Sequence, residues 1–282
     1  MSFFEPKKRY QPLFVAGKEP QLIGIFKVDH SYLDLPRIMH QHDNRCELLF
    51  VVEGTAKHII DGQRYELSPG YLAIYNAGIL HEEYLDASDD MVVYSLGIAN
   101  LNIEGLPPNH LLDPKVRPVI DTDNSSHFFV SLLDKIYEQT VLNTDKGTSV
   151  AHYFLLALIS LIHAEQKVVN PVDDELTNTG IAIKRWLDLH YQEDITLQDI
   201  SEALFLSQYH ISRAFKRFSG YSPTQYIARR RIGEAQSLLI HTQMPILDIA
   251  LRVGYNSNSL FSRTFKTIVG RTPVQYRKDM QK

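Results

Sequence analysis

The spacing of apolar and polar positions changes character along the chain. From residue 22 to about 98, short runs of β-branched and aromatic residues are cut by turn signals. Run 47–52 is followed by Glu53-Gly54, and run 56–60 by Asp61-Gly62. Run 64–67 is followed by Ser68-Pro69-Gly70, and run 71–75 by Asn76-Ala77-Gly78. These runs predict strands, and Asp61-Gly62 between two of them predicts a hairpin. Their regular spacing predicts a small antiparallel barrel or sandwich. Beyond a proline-rich crossing (Pro107-Pro108, then Pro114 to Pro118) the period becomes helical. Phe128, Phe129, Leu132, Leu133, Ile136 and Tyr137 recur at helical spacing, and so do Tyr153, Leu156, Ala157, Ile159, Ser160 and His163. The second segment is apolar on nearly every side. It must be buried against the barrel, the neighbouring helix or another subunit. Residues 167–178 are polar, acidic and broken by Pro171, as a linker would be. Everything after them reads as helix, with Gly and Pro marking the ends.

The helical back part contains a repeat. Ser207, Ser212, Arg213, Phe215, Lys216, Gly220, Pro223 and Gln225-Tyr226 recur fifty positions later. Their counterparts are Ser257, Ser262, Arg263, Phe265, Lys266, Gly270, Pro273 and Gln275-Tyr276. Asp199-Ile200 matches Asp248-Ile249 once one residue is allowed in the turn. Duplication of one supersecondary unit accounts for this. Each unit reads as helix, tight turn, helix. Thr196 with Asp199 predicts a capping box, and Ser207 predicts the N-cap of the second helix. Ile211, Phe215 and Phe218 form that helix's buried stripe, and Gly220 ends it. In the second unit Pro245 suits a first helical turn, Gly254 fits the bend, and Phe261, Phe265 and Ile268 are the buried stripe. The opposite faces carry Tyr209, Ser212, Arg213, Lys216 and Arg217 in unit one. In unit two they carry Asn258, Ser259, Ser262, Arg263 and Lys266. A helix fits the major groove of B-DNA, where Arg and Asn form paired hydrogen bonds with base edges and Lys suits phosphate.

Charge separates the same two parts. Residues 179–282 hold 15 Lys+Arg against 8 Asp+Glu, a net of +7, whereas residues 1–178 hold 14 against 25, a net of −11. A basic back part is the footprint of a phosphate-binding surface. With 44% hydrophobic and 22% charged residues, the composition is that of a soluble globular protein. No uninterrupted apolar run reaches the ~18 residues that a membrane span requires. Residues 1–10 are polar and basic, unlike a signal peptide. Cys46 is the one cysteine, so no intrachain disulfide can form. The expectation is a cytoplasmic protein with no membrane partner.

In these residues the chain resembles the AraC/XylS family of transcription activators. The second unit carries that family's pattern: Gly254-Tyr255, Asn258-Ser259-Leu260-Phe261-Ser262-Arg263, Phe265-Lys266, Gly270, Thr272-Pro273 and Tyr276-Arg277. Arg231-Ile232, Ala235 and Leu238-Leu239 fit its central helix. The resemblance implies that this helix holds two recognition helices in successive major grooves, ~34 Å apart. It also implies that Tyr209, Ser212 and Arg213, with Asn258, Ser259, Ser262 and Arg263, face bases. His210 stands where the family usually has Tyr, on the side away from the bases.

The front part resembles the cupin motif. His40, His42, Glu47 and Gly54 follow H-x-H-x4-E-x6-G, and Gly70, Gly78 and His81 follow G-x7-G-x2-H, with Asn76 where proline is usual. Strand alternation puts His40 and His42 on one face. In metal-using cupins the corresponding side chains converge inside the barrel, and imidazoles with a carboxylate suit Zn, Ni, Mn or Fe. Three readings stay open. The barrel binds a divalent metal, or it binds a small organic effector such as a carbohydrate without metal, or the histidines are structural. Tyr75, Tyr84 and Tyr94 are candidate liners of a sugar site.

The expected fold is α+β. A cupin-like antiparallel β-barrel (1–125) and a helical dimerisation segment (126–167) precede a linker (168–178). An all-α domain with two helix-turn-helix units follows (179–282). The expected function is a non-enzymatic, homodimeric transcription regulator, an activator controlled by a small-molecule effector. Its partners would be double-stranded DNA and RNA polymerase. The competing expectation is a metal-dependent cupin enzyme or metal sensor fused to a DNA-binding domain. The resemblance also suggests an arm, formed by the residues before position 15, over the effector pocket.

Overall fold

A computed structural model describes residues 11–29, 38–85, 87–165 and 175–281. Most of the supposed N-terminal arm and of the linker lies outside these residues.

The front part is built from two antiparallel sheets. Its strands are β1 (Gln21–Asp29), β2 (Cys46–Glu53), β3 (Ala56–Ile60), β4 (Gln63–Leu67), β5 (Tyr71–Tyr75), β6 (His81–Leu85), β7 (Val92–Ala99) and β8 (Val119–Asp121). The larger sheet has the order β1-β7-β2-β5-β8 and the smaller one β4-β3-β6. The Asp61-Gly62 hairpin is present. Both residues have positive φ (50° and 82°), and Ile60 pairs with Gln63 across them. This is the primed-turn geometry that matches strand twist. Leu48, Phe50, Leu72, Ile74, Tyr94 and Leu96 fill one apolar cluster behind the larger sheet. β8 was not legible, since its three residues directly follow the proline-rich crossing. Asn76 explains its own departure from proline. Its side chain donates to Leu112 O (2.8 Å) and accepts from Leu111 N (2.9 Å), which anchors that crossing.

Helices α1 (Ser126–Leu142) and α2 (Asp145–Glu165) close the larger sheet's cluster. α1 buries Phe129, Leu133 and Ile136, but Phe128 is exposed. α2 buries Ala151, Leu155, Leu158, Ile159 and Ile162, and leaves Tyr153, Ala157, Ser160 and His163 exposed. The helical spacing read for α2 therefore did not mark its covered side. A helix apolar all round carries no periodic signal to choose a face. α2 is also long and apolar enough by composition to cross a membrane. Here its buried stripe packs against α1 and the sheet.

The back part is all helical: α3 (Glu175–His190), α4 (Leu197–Leu204), α5 (Gln208–Ser219), α6 (Pro223–His241), α7 (Ile246–Arg252), α8 (Asn258–Val269) and α9 (Pro273–Met280). α3 starts inside the segment assigned to the linker. The repeat is visible in the caps. The hydroxyls of Ser207 and Ser257 accept backbone N–H bonds at the starts of α5 and α8, and left-handed Gly220 and Gly270 end both helices. Thr196 and Asp199 form the expected capping box, and Ser222–Gln225 and Thr272–Gln275 form two more. Ile211, Phe215, Phe218, Phe261 and Phe265 are buried as expected. Val269 is buried where Ile268 was expected, and Ile268 is half-buried. The helical core also takes in Ile38, Met39, Ile59 and Leu80 of the front part.

Candidate functional site

Two surfaces carry chemistry. The first lies on α5 and α8, opposite their buried stripes. Arg213 and Lys216 are exposed on α5, Tyr209 is 76% exposed, and Ser212 is half-buried. On α8, Asn258, Ser259, Arg263 and Lys266 are exposed and Ser262 is half-buried. Each unit thus presents an arginine and a lysine one helical turn apart beside small hydroxyl side chains. Arg217 behaves differently. It lines a cleft of about 230 Å³ with Gln63, Arg64, Leu176, Thr177 and Phe218, facing the front part. α6, at 19 residues and 1.5 Å per residue, is a rod of about 28 Å between the two units.

The second surface is inside the front part. His40, His42, Glu47 and His81 each offer a ligand atom, and all four atoms lie within 4.8 Å of one another. Glu47 enters from β2 and His81 from β6. His40, ahead of β2, forms a backbone bridge with His81, with both N–H···O distances at 2.9 Å. Glu47 Oε1 lies 3.2 Å from His42 Nε2, and Oε2 lies 3.5 Å from His81 Nε2. His81 Nδ1 is 2.9 Å from Ile79 O. A carbonyl only accepts, so Nδ1 carries the proton and Nε2 presents its lone pair. That Nε2 is buried and makes no hydrogen bond. It faces a carboxylate oxygen, an arrangement that fits a cation between them. Arg45 already supplies a positive charge at the edge of the cluster. Its Nε donates to Glu47 Oε1 (2.8 Å), and its guanidinium Nη2 lies 3.1 Å from His42 Nε2. Burial opposes ionisation of Glu47, but the neighbouring His42 and His81 imidazoles hold its carboxyl well below the usual carboxylate range. Burial pushes the His42 imidazole below its ordinary value. The donor set of three imidazoles and one carboxylate fits a divalent transition metal.

The neighbouring aromatics are not equivalent. The Tyr75 ring stacks on His81 (centroids 4.2 Å apart), and its hydroxyl is 2.8 Å from Nδ1 of buried His58. The Tyr94 hydroxyl instead donates to Asp134 on α1, so it does not serve the cluster. The Tyr84 side chain lies outside what the structure describes. Sequence reasoning missed Arg45, although it sits in plain view between His42 and Glu47. It also missed the Glu82–Arg229 ion pair, which joins residues 147 positions apart with no local signal.

A family model described as a helix-turn-helix domain matches residues 200–279, and one described as a cupin domain matches residues 35–97. The uncharacterized HTH-type transcriptional regulator YdiP of Escherichia coli (strain K12) is 27% identical over 277 residues, 96% of this chain and 90% of that protein. The HTH-type transcriptional activator RhaS of Mannheimia succiniciproducens is 26% identical over 283 residues, covering 98% and 96%. The lactose operon transcription activator of Staphylococcus xylosus is 25% identical over 258 residues, covering 90% and 88%.

Proposed function

We propose that the chain is a transcription regulator of the AraC/XylS type, with a cupin domain ahead of its helix-turn-helix domain, and that it is a sequence-specific activator whose grip on DNA is set by a small molecule bound in the cupin domain. The observation that carries this reading is the pair of exposed, matched faces on α5 and α8, separated by one rigid helix. Tyr209, Ser212, Arg213, Asn258, Ser259, Ser262 and Arg263 read bases. Lys216 and Lys266 hold phosphate. Activation is supported by the relatives named as activators, and brings in RNA polymerase as a partner in the cytoplasm. A carbohydrate is the effector class favoured by the relative named for the lactose operon. Exposed Phe128, Val141, Leu142, Val150 and Tyr153 on α1 and α2 support pairing of two copies through this helical segment.

The domain organisation follows. Residues 1–125 bind the effector, 126–167 pair the copies, 168–178 connect, and 179–282 bind DNA. The decisive experiment replaces Arg213 or Arg263 with alanine and measures binding to the DNA upstream of the gene. Each change should weaken binding by ~1–3 kcal/mol and relax specificity at one position. Unchanged binding in both variants would overturn the assigned faces.

One observation favours a second reading of the cupin site. A buried imidazole lone pair faces a carboxylate among four converging donors. In this reading His40, His42, Glu47 and His81 hold a divalent metal, which supplies positive charge to fix the donors or to polarise a bound oxygen. Metal content of the purified protein and calorimetric titration separate this from a metal-free sugar site, whose ligand would instead emerge from a thermal-shift screen. Stoichiometric iron or manganese with turnover of a sugar would make the front part an enzyme.

A further inference from the structure

Resting on the reading of the His40–His81 cluster as the ligand site, we propose that its occupancy is passed to the DNA-binding helices through a clamp on one face of α6, made by Glu82 and the Ile38–Met39 backbone. Alternation along β6 places His81 and Glu82 on opposite sides of the strand. His81 points into the cluster. Glu82, its side chain 1% exposed, points out and meets Arg229 of α6. Arg229 Nε lies 3.0 Å from both carboxylate oxygens, and Nη2 makes a further contact with Oε1. The guanidinium also lies over the Tyr221 ring, 4.8 Å from its centroid.

The second jaw precedes His40. Ile38 N donates to Oε1 of buried Gln236 at 2.9 Å. Gly233 lies beneath the same backbone. A Cβ there would come within 2.1 Å of Met39 O and 2.4 Å of Ile38 O, so only glycine permits this approach. Arg229, Gly233 and Gln236 are spaced i, i+4, i+7 and therefore form one stripe of α6. The two jaws are not independent. His40 and His81 are joined by two backbone hydrogen bonds, and each is one residue from a contact with α6. Any ligand that fixes the two imidazoles also fixes the Met39–His40 and His81–Glu82 steps.

α6 is the rod that sets the spacing of α5 and α8. The recognition faces stay exposed with the clamp closed, so the clamp governs the pose of the rod and not access to DNA. A second tie, Lys184 Nζ to Asp61 Oδ1 at 2.8 Å, holds α3 against the β3–β4 hairpin. Ligand binding tightens the clamp, and loss of Glu82–Arg229 leaves the site coupled to the rod through the Ile38–Met39 jaw alone.

Hydrogen exchange of the full chain, with Mn2+ alone as the probe, tests this. In the wild type Mn2+ should slow exchange in 38–42 and 79–82, and also in 229–236, by roughly tenfold. In Glu82→Gln the site should still be slowed, while 229–236 should respond several-fold less, through the Ile38–Met39 jaw alone. Protection of the site without any change in α6 would overturn the coupling. Failure of Mn2+ to protect the site defeats the metal reading alone, because a metal-free arm judges the clamp. There, His40→Ala should speed exchange in 229–236 in the wild-type background, and the effect should be clearly smaller in Glu82→Gln. If Glu82→Gln unfolds the protein, Glu82→Gln with Arg229→Gln replaces the ion pair by an amide pair and serves instead. Identical α6 responses with and without the ion pair would sink the proposal.

Discussion

Arg45 and His58 show how much single side chains can decide in the cupin site. The Arg45 guanidinium only donates, so its contact with His42 Nε2 uses the lone pair that a metal would need. It also holds Glu47 Oε1. Arg45 is thus a competitor for any divalent ion, and Arg45→Met should tighten Mn2+ or Zn2+ binding by roughly tenfold, about 1.4 kcal/mol. Calorimetry reads this directly. Weaker binding would instead make Arg45 an outer support for the donors. His58 bears on pH. Burial, with a smaller contribution from the charge of His81, lowers its pKa to about 3, below the ordinary 6.5. The folded chain keeps it neutral where the unfolded chain takes up a proton. Its contribution to stability is therefore complete above pH 6.5 and is lost progressively as pH falls toward 3. Between pH 7 and 5 the wild type should lose about 2 kcal/mol more than His58→Gln, measured by urea unfolding.

Elements whose signals are local were the most legible. The caps at Thr196 and Ser207 depend on residues three positions apart, and the exposed faces of α5 and α8 follow from the repeat. The face of α2 was not legible, because Leu, Ile and Ala surround it and only the sheet decides which side is covered. The four donors were found by motif spacing, but their convergence depends on the His40–His81 bridge, which no spacing reveals. The two units also differ at one equivalent turn position. Gly254 takes φ 95°, and a Cβ there would meet Gln192 O at 2.5 Å. Phe205 occupies the matching turn at φ 55° and is 93% exposed. A left-handed non-glycine residue costs about 1 kcal/mol. Phe205→Gly should therefore stabilise the first unit by up to ~1 kcal/mol, with the greater chain entropy of glycine subtracting part of the gain. Gly254→Ala should destabilise the second unit by more than that, through both φ and the collision. Thermal unfolding of the two variants should shift in opposite directions; a shift in the same direction would contradict this account of the turn.

Across the whole molecule, charge separation was evident from counting residues, but docking of the parts was not. Glu82 belongs to the acidic front and Arg229 to the basic back, and neither has a neighbour in sequence that marks it for burial. The charge of the back part has a consequence that is independent of the clamp. Each phosphate neutralised by Lys or Arg releases condensed counterions, so the logarithm of the binding constant falls linearly with the logarithm of salt concentration. Lys216 and Lys266 are exposed beside the positions proposed to read bases and suit phosphate. Changing either to alanine should weaken binding to specific and unrelated DNA about equally, and should reduce the salt slope by about 1. Arg213→Ala and Arg263→Ala should instead cost more on the specific site than on unrelated DNA. Fluorescence anisotropy on both kinds of DNA across a salt series distinguishes the two classes. A lysine variant that loses only specific binding would move that lysine from the phosphate backbone to a base edge, and would require the recognition helix to sit rotated in the groove.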